Sequence, residues 1–308
     1  MILWEMIFWE MIFAPQRRGP TAARFGLDFP PAQWHGACMS LATDAPLSDL
    51  DVAHLLADAA GAAILPYFRQ AGLGAQNKDA AGFDPVTEAD RAAEQAMRAV
   101  LARHRPADGI WGEEFGRSAG ASGRQWVLDP IDGTRGFIAG TPTWGVLIAL
   151  AGADGAPVLG VIDQPYTGER FTGAPGRAEM TGPRGPVPLA TRATADLGQA
   201  LLFTTFPEIG SAAERAGFEA VAARTRLVRY GMDCYAYALL AAGQIDLVIE
   251  AGLNPYDIQA PIAVIEAAGG IVTDWRGGPA HRGGRVLAAA NGALHRAALE
   301  ILTRVPPG

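Results

Sequence analysis

The chain has 308 residues, 49% of them hydrophobic, and is long enough to bury one large core or two smaller ones. Its net charge of -7 and the lack of any Lys/Arg block argue against binding to a nucleic-acid backbone as the main activity. Cys38 and Cys234 are too few for a disulfide framework and lack metal-ligand spacing, so the expected location is a reducing cytoplasm.

The first 44 residues differ from the rest of the sequence. They begin with MILWEMIFWEMIF, an apolar run with an internal repeat that is interrupted by Glu5 and Glu10. This run is shorter than the roughly 20 residues that a membrane-spanning helix needs, and Arg17 and Arg18 follow it rather than precede it. We expect residues 1–44 to be a disordered extension, or translated sequence upstream of a true start near Met39. An interfacial membrane anchor is the alternative, and no other segment is a membrane candidate.

Helices and strands follow in chain order from residue 48. Ser48 caps a predicted helix whose apolar positions continue to Phe68, and a second helix opens at residues 87–90 and ends at His104. Residues 71–85 between them are rich in glycine and polar side chains and predict an exposed loop. Four apolar runs then predict strands of a buried sheet, namely GIWGEE, QWVLDPI, WGVLIALA and APVLGVIDQP.

After residue 185 the order of elements changes. ALLFTTF, TRLVRY, IDLVIE and IVTDW predict strands, whereas SAAERAGFEAVAA and DCYAYALLAAG predict helices. Asn254 and Pro255 start a further helix, with a side-chain cap and a proline in its first turn. Because helices and strands alternate in both halves, the predicted class is α/β, with helix layers packed on sheets. We expect two subdomains, residues 45–185 and residues 186–308.

Acidic residues recur where predicted strands end and predicted helices begin. Glu113 closes the GIWGEE strand, Asp129 and Asp132 end the next strand, and Asp90 and Asp257 lie in the first turns of two helices. In α/β proteins such ends converge on a ligand. The sequence therefore predicts one acidic site built from distant parts of the chain.

The segment DPIDGT, residues 129–134, carries the strongest chemical signal. Two carboxylates about 4 Å apart repel by about 4 kcal/mol at an effective dielectric near 20, so one is protonated or a cation lies between them. Such oxygen ligands suit Mg2+, which keeps waters and substrate phosphate as its other ligands. A kinked or cis Pro130 would turn the Ile131 carbonyl inward as a neutral ligand. The amides of Gly133 and Thr134, at the start of a predicted helix, offer an anion site.

Each of these acids also has a simpler interpretation. An isolated Asp-x-x-Asp is most often a turn or a cap, Asp90 fits a capping box, and Asp257 complements a helix dipole. Glu114 is expected to be a surface residue. The co-occurrence of all the acidic positions in one sequence favours the metal site.

Three motifs together resemble the signatures of the inositol monophosphatase family: GEE at 112–114, DPIDGT at 129–134, and PYD at 255–257 with EAAGG at 266–270. The resemblance covers roughly residues 45–300. It implies a layered αβαβα sandwich, usually dimeric. It also implies Mg2+-dependent hydrolysis of small phosphomonoesters with two or three ions, commonly inhibited by Li+.

The resemblance assigns metal ligands by position. Glu113, Asp129 and the Ile131 carbonyl resemble the ligands of a first metal ion. Asp129, Asp132 and Asp257 resemble those of a second, and Glu113 recurs at a weaker third site.

Catalytic and phosphate-binding roles follow in the same way. Thr134 and Glu113 resemble the pair that orients the attacking water, and Asp90 resembles a carboxylate that supports this cluster. The amides of Gly133 and Thr134 match a phosphate cradle. Because a phosphomonoester dianion repels hydroxide, metal ions are expected to activate the water and stabilise the leaving alkoxide, without a covalent phosphoenzyme.

Within the family, residues 129–150 and 229–257 most resemble the histidinol-phosphate phosphatases of the inositol-monophosphatase type. This implies hydrolysis of L-histidinol phosphate to L-histidinol and phosphate, a reaction of histidine biosynthesis. The substrate carries an ammonium group and an imidazole, so carboxylates are expected beyond the metal ligands.

Five residues are candidates for binding the substrate. Asp233 and Glu250 are expected to clamp the ammonium with charge-assisted hydrogen bonds of about 1.5–3 kcal/mol each. Arg229 is expected to order this wall, and Asp132 and Asp257 face the same substrate. The alternatives are that Asp233 caps the following helix, that Glu250 serves equally in relatives that bind neutral polyols, and that Arg229 only pairs with an acid.

Cys234 and Phe206 are two further positions relevant to the predicted substrate site. Cys234 is expected to be a packed thiol rather than a nucleophile. Phe206 stands where the histidinol-phosphate branch tends to carry serine, which changes the expected shape of the substrate wall.

Other functions are also compatible with the sequence. The alternative enzymes are an inositol-1-phosphatase and a broad phosphomonoesterase of the same fold, whereas a bisphosphate nucleotidase is disfavoured because no basic or adenine-stacking segment is present. A non-catalytic binding partner of the transcription machinery is the alternative from another class, disfavoured by the acidic balance. The expected partners are a small phosphomonoester substrate and a second copy in a homodimer, with no nucleic acid and no membrane.

Overall fold

A computed structural model describes residues 47–70, 75–77 and 85–306 of the chain. Residues 1–44, for which the sequence predicts a disordered extension or a misplaced start, lie outside the described residues. These described residues belong to one compact unit. Among the described residues, no helix is long and apolar enough to cross a membrane.

The structure contains seven α-helices within the described ranges. They are α1 (Asp49–Ile64), α2 (Glu88–His104), α3 (Thr134–Ala139), α4 (Ala212–Ala222), α5 (Cys234–Ala241), α6 (Pro255–Ala267) and α7 (Gly292–Leu302). Predicted starts of α1 and α2 are confirmed. At α1, the Ser48 hydroxyl accepts the Asp51 amide at 3.1 Å and the Asp51 carboxylate accepts the Ser48 amide at 3.0 Å, as in a capping box.

The described strands form three sheets. In chain order they are β1 (Ala75–Asn77), β2 (Pro85–Thr87), β3 (Gly109–Gly112), β4 (Gly116–Ser118), β5 (Gln125–Asp132), β6 (Gly145–Ala151), β7 (Pro157–Gln164), β8 (Glu169–Ala174), β9 (Arg177–Thr181), β10 (Val187–Pro188), β11 (Leu201–Thr204), β12 (Leu227–Tyr230), β13 (Leu247–Leu253), β14 (Ile271–Thr273) and β15 (Gly284–Ala289). The prediction of a plain loop over 71–85 is wrong in part, because β1 and β2 pair antiparallel.

The larger sheet has eight strands in the order β10-β9-β8-β7-β6-β5-β3-β4. Only the β3–β5 pair is parallel among the pairs described in this sheet. The smaller sheet has five strands in the order β12-β11-β13-β15-β14, with β11 parallel to both β12 and β13. Strands of the larger sheet come before residue 189 and those of the smaller sheet after residue 200. The division into subdomains near residue 185 stays a prediction.

The two sheets alternate with helices in five layers. Helices α1 and α2 pack on one face of the larger sheet around the buried side chains of Trp126 and Leu128. Helices α5 and α6 lie between the sheets, with Tyr237 and Ile258 in the central core. Helices α4 and α7 cover the outer face of the smaller sheet. The predicted αβαβα sandwich is confirmed.

Candidate metal and phosphate site

A β-bulge near the end of β5 brings two predicted acids to one side of the strand. The pairing register with β6 shifts between Asp129 and Asp132. Residues three apart in a regular strand point to opposite faces, and the extra residue of a bulge removes this mismatch. The peptide bond before Pro130 is trans, so the kink predicted there takes the form of the bulge. Gly133 then adopts a φ of 84°, and α3 begins at Thr134 as predicted.

The third acid comes from the first turn of α6. The Asn254 amide donates to Asp257 Oδ2 at 2.7 Å, which fixes the carboxylate beside the helix start. One carboxylate oxygen from each of Asp129, Asp132 and Asp257 lies within 4.8 Å of the other two. Three predicted metal ligands, separated by up to 128 positions in sequence, therefore share one site.

Burial and mutual repulsion raise the pKa values of these carboxyl groups. Burial raises the pKa of Asp129 well above its usual value, and the charges of Glu113 and Asp132 raise it further. The pKa of Asp132 is raised by burial and then by Asp233 and Asp257. Burial raises the pKa of Asp257 to about 8, although the Asn254 amide opposes this effect. The three groups cannot all be ionised without a cation among them.

The donor set fits a hard divalent cation. Asp129 is 2% exposed, and its Oδ1 atom has no hydrogen-bond partner. A buried carboxylate oxygen without a donor costs free energy that a metal ion removes. Carboxylate oxygens are the ligands that Mg2+ and Ca2+ prefer, and neither thiol nor imidazole belongs to the three-acid group. The residues present therefore fit the metal that the sequence predicted.

The remaining predicted residues of this site lie around the three acids. The charge of Glu113 acts on Asp129 and Asp257, and the Glu113 amide donates to the Leu128 carbonyl at 3.1 Å. Asp90 is buried in the first turn of α2, and its charge also acts on Asp129. The Thr134 hydroxyl donates to the Ile131 carbonyl at 3.1 Å. Because a carbonyl oxygen has two lone pairs, this bond leaves the Ile131 carbonyl one further acceptor position.

Glu94 was missed by reasoning from the sequence. It is fully buried on α2, one turn after Asp90, and accepts the amides of Glu114 at 2.7 Å and Phe115 at 3.2 Å. A Cβ atom at Gly112 would lie 1.9 Å from Glu94 Oε1, so a side chain there would displace the Glu94 carboxylate. The i, i+4 spacing of Asp90 and Glu94 was the available signal. Glu94 thus braces the turn that carries Glu113.

The expectation that Glu114 is a surface residue is wrong. Its side chain is 2% exposed, and Arg91 Nε lies 3.5 Å from Glu114 Oε2. The turn after β3 folds back toward α2, which covers the carboxylate. Glu114 therefore belongs to the support of the site rather than to the solvent-exposed surface.

A cavity of about 230 Å³ adjoins the acids on the side of the smaller sheet. Asp132 and Asp257 line it, together with Asp233 and Glu250 from the predicted substrate wall. Arg229 is exposed on β12, an edge strand, and does not line the cavity. The structure thus brings four of the predicted substrate residues together and leaves Arg229 apart.

Asp233 has an unusual backbone conformation and a carboxylate that does not cap its helix. Its φ of 46° and ψ of −138° are strained for a residue with a side chain, and its side chain makes no capping hydrogen bond to α5. A Cβ atom on Gly133 would come within 2.9 Å of Asp233 Cβ, so the two loops are in close contact. Burial and the charge of Glu250 raise the pKa of Asp233 to about 7, against the opposing effect of Arg135.

Glu250 is held by the wall of the cavity. Its Oε1 accepts the Thr205 amide at 3.0 Å and the Thr205 hydroxyl at 2.5 Å, and its Oε2 accepts the Tyr237 hydroxyl at 2.8 Å. Burial raises its pKa, although these donors oppose the shift. Glu250 therefore fixes the position of three groups around the cavity.

Cys234 is buried in the first turn of α5, and burial raises the pKa of its thiol well above its usual value. Its amide donates to Asp132 Oδ2 at 2.6 Å. The amide, rather than a reactive sulfur, is what this position contributes to the site.

Comparison with known proteins agrees with this geometry. The model of the inositol monophosphatase family matches residues 47–306. The chain belongs to this family. The bifunctional phosphatase IMPL2 of Arabidopsis thaliana is 42% identical over 263 residues, covering 82% of this chain and 74% of the relative. A histidinol-phosphatase of Chlorobaculum parvum is 37% identical over 249 residues, covering 80% of this chain and 94% of the relative.

Solved structures give the same family. An inositol monophosphatase from Zymomonas mobilis superposes with a TM-score of 0.73 at 42% identity, covering 83% of this chain and 97% of that one. This member of the inositol monophosphatase family is therefore a phosphatase with the αβαβα fold. The family is metal-dependent, and the three-acid cluster of this chain is able to bind a metal ion.

Proposed function

We propose that this enzyme hydrolyses L-histidinol phosphate to L-histidinol and phosphate with Mg2+ as cofactor. One observation carries the choice of substrate. Asp233, a carboxylate that caps no helix, lines the cavity beside the metal-binding acids, at the place where a cationic substrate needs a counter-charge. The similarity to histidinol-phosphatases supports the same choice.

The metal ligands are assigned to residues of two strands and one helix. Glu113, Asp129 and the Ile131 carbonyl would hold a first Mg2+, and Asp129, Asp132 and Asp257 a second, with Glu113 also at a weaker third site. Bound Mg2+ supplies positive charge for the phosphoryl oxygens and lowers the pKa of a bound water. Li+ is expected to inhibit.

The chain's own groups orient the reactants. Glu113 and the Thr134 hydroxyl position the attacking water, and the charge of Asp90 supports their arrangement. The amides of Gly133 and Thr134 donate to the phosphate oxygens, and the positive φ of Gly133 lets the backbone approach them closely. The water oxygen bonds to phosphorus opposite the ester oxygen while the P–O ester bond breaks. The proton that the water gives up balances the one that the leaving alkoxide takes up from solvent, so no covalent enzyme intermediate is needed.

The substrate's ammonium group is assigned to Asp233, with Glu250 behind it. The Glu250 oxygens are already bonded by Thr205 and Tyr237, so its contribution is negative charge rather than a direct clamp. A charge-assisted hydrogen bond to Asp233 is worth about 1.5–3 kcal/mol. Arg229 is too exposed to order this wall directly, and its role in substrate binding stays a prediction.

Phosphate release from a substrate panel tests the proposal. Histidinol phosphate, inositol 1-phosphate, an adenosine bisphosphate and an aryl phosphate are compared with Mg2+, and kcat/KM is expected to be highest for histidinol phosphate. Asp233→Asn, which keeps the size and removes the charge, should reduce that preference roughly tenfold to a hundredfold. Asp154→Asn, at an exposed acid of the β6–β7 turn, is the control. A preference that survives Asp233→Asn contradicts the role of Asp233.

The second candidate is an inositol-1-phosphatase or a broad phosphomonoesterase of the same fold. The similarity to the Zymomonas mobilis inositol monophosphatase favours it. The same panel separates the two, because inositol phosphates carry no cation for Asp233. The homodimer and the cytoplasmic location stay predictions.

A further inference from the structure

The cavity holds more carboxylates than the metal ions and the wall use. Its acidic lining residues are Asp132, Glu208, Asp233, Glu250 and Asp257. No Lys, Arg or His side chain lines it within the described part of the chain. Asp132 and Asp257 serve the metal cluster, and Thr205 and Tyr237 bond both oxygens of Glu250. After Asp233 is assigned to the ammonium, Glu208 is the acid whose role is unexplained.

Glu208 lies on a well-anchored loop between β11 and α4. The next residue, Ile209, is buried in the core of the smaller sheet. Ser211 then closes the loop with a capping box, in which its amide donates to Glu214 Oε2 at 2.6 Å. The Glu208 carboxylate forms no hydrogen bond or ion pair with any residue the structure describes. The loop therefore presents at the cavity an exposed carboxylate that no described side chain or backbone group bonds.

Phe206, two residues earlier, lines the same cavity. The ring is 44% exposed, although an aromatic side chain of this size is normally buried. Arg135 from α3 lies over it, with the guanidinium carbon 4.8 Å from the ring centroid. This contact fixes the ring from the side of the phosphate-binding segment. An aromatic ring and a free carboxylate thus stand together at the cavity.

We infer that Phe206 and Glu208 form the subsite for the far end of the substrate, a flat nitrogen heterocycle of the imidazole type. The edge or face of the substrate heterocycle contacts the Phe206 ring, and an N–H group of the heterocycle donates to the Glu208 carboxylate. This rests on the proposed function and adds a second recognition point beyond the ammonium. The presence of phenylalanine at 206 then has a role in binding.

The test compares two substrates that differ in the ring. Histidinol phosphate carries phosphate, ammonium and imidazole, whereas O-phosphoethanolamine carries only phosphate and ammonium. Glu208→Gln and Phe206→Ala should each lower the ratio of their kcat/KM values roughly tenfold. Asp233→Asn should lower both values together. Glu219→Gln, an exposed acid on α4, is the matched control, and thermal melting checks that every variant is folded.

The outcomes separate the two proposals. If the wild-type enzyme prefers histidinol phosphate but the ratio is unchanged in both Glu208→Gln and Phe206→Ala, the ring subsite is wrong and the proposed function stands. If kcat/KM falls equally for both substrates in these variants, Phe206 and Glu208 shape the cavity wall and do not recognise the imidazole ring, and the ring subsite is wrong. If wild-type enzyme prefers inositol 1-phosphate, the proposed function fails, and the ring subsite fails with it.

Discussion

Two groups of buried or half-buried acids in this protein have opposite surroundings. Glu94 and Asp163 each accept a hydrogen bond from an arginine Nε at 2.7 Å, donated by Arg98 and Arg170, and Asp246 pairs with Arg192 at 3.0 Å. The acids of the other group, by contrast, face one another. Asp129, Asp132 and Asp257 each place one carboxylate oxygen within 4.8 Å of the other two.

The presence or absence of an arginine partner distinguishes acids that support the fold from acids suited to chemistry. An acid paired with arginine is neutralised by the protein itself, so removing either partner leaves a buried charge and costs stability. An acid cluster without cations is neutralised only by protons or by a metal ion. The arginine-paired acids therefore stabilise the folded state, whereas the clustered acids are suited to binding a cation.

Removing one acid of the cluster should have the largest effect on activity. Asp132→Asn should reduce phosphate release roughly a thousandfold or more, which is about 4 kcal/mol of transition-state stabilisation. The folded state should persist, because an amide oxygen still accepts the Cys234 amide and the repulsion among the acids falls. Steady-state kinetics and metal-free thermal melting measure the two effects. Near-normal turnover would show that Asp132 does not hold a metal ion.

Removing a paired acid should instead affect stability. Glu94→Ala leaves Arg98 and two turn amides without their acceptor, so the free energy of unfolding should fall by about 3–5 kcal/mol. The control is Glu179→Ala, which breaks the more exposed pair with Arg177 and should cost less than about 1 kcal/mol. Urea denaturation measures both. Equal losses in the two variants would remove the distinction between structural and surface pairs.

The cluster should also make metal-free stability depend on pH. Asp257, with a pKa of about 8 in the folded protein, keeps a proton that the unfolded chain releases near pH 4. The folded state binds more protons across this interval, so stability falls as pH rises from about 4 to about 8. In EDTA we expect the free energy of unfolding to fall by roughly 2 kcal/mol or more over this pH range. Added Mg2+ should restore stability most strongly near pH 8.

Asp257→Asn is the control for this pH dependence. It should flatten the profile between pH 5 and pH 8 in EDTA and weaken the response to Mg2+. A wild-type profile that rises with pH in EDTA would contradict the raised pKa values and the crowding of the acids.

The smallest expected effect concerns the contact between the phosphate segment and the substrate wall. Gly133 and Gly176 both have positive φ, 84° and 72°, but only Gly133 would place a Cβ atom against Asp233, while Gly176 has open space. Both alanine variants should lose about 1–2 kcal/mol of stability from strain. Gly133→Ala should lose about 1 kcal/mol more and should also lower activity. Urea denaturation and kcat/KM compare them, and identical results would show that this contact is unimportant.

The acidic cluster proposed to hold the metal was largely predicted from the sequence, because the signals of its individual acids are local. DPIDGT combines strand end, bulge and helix start within six residues, and Asn254-Pro255 marks the start of the helix that carries Asp257. The layered fold followed from the alternation of helices and strands. Short strands such as β4 and β8–β10 were not predicted, because their apolar runs are brief or alternate weakly. The terminal β15 and α7 were missed although the apolar run of β15 and the Asn291 cap of the amphipathic α7 are local signals.

The supports of the site were harder to read, because they depend on distant contacts. Glu94 is one acid among several on α2, and only the fold places it under Gly112. Glu208 follows Phe206 and Pro207 in a segment with no motif of its own. Nothing in the local sequence shows that Thr205 and Tyr237 would take both oxygens of Glu250.

The most direct test of the central claim is a crystal structure of the enzyme with Mn2+, a Mg2+ substitute that gives an anomalous signal. We predict a strong anomalous peak bonded to oxygens of Asp129, Asp132 and Asp257, and its loss in crystals of Asp132→Asn. A fully active enzyme whose crystals show no peak among these three carboxylates, at a Mn2+ concentration that supports turnover, would contradict the account.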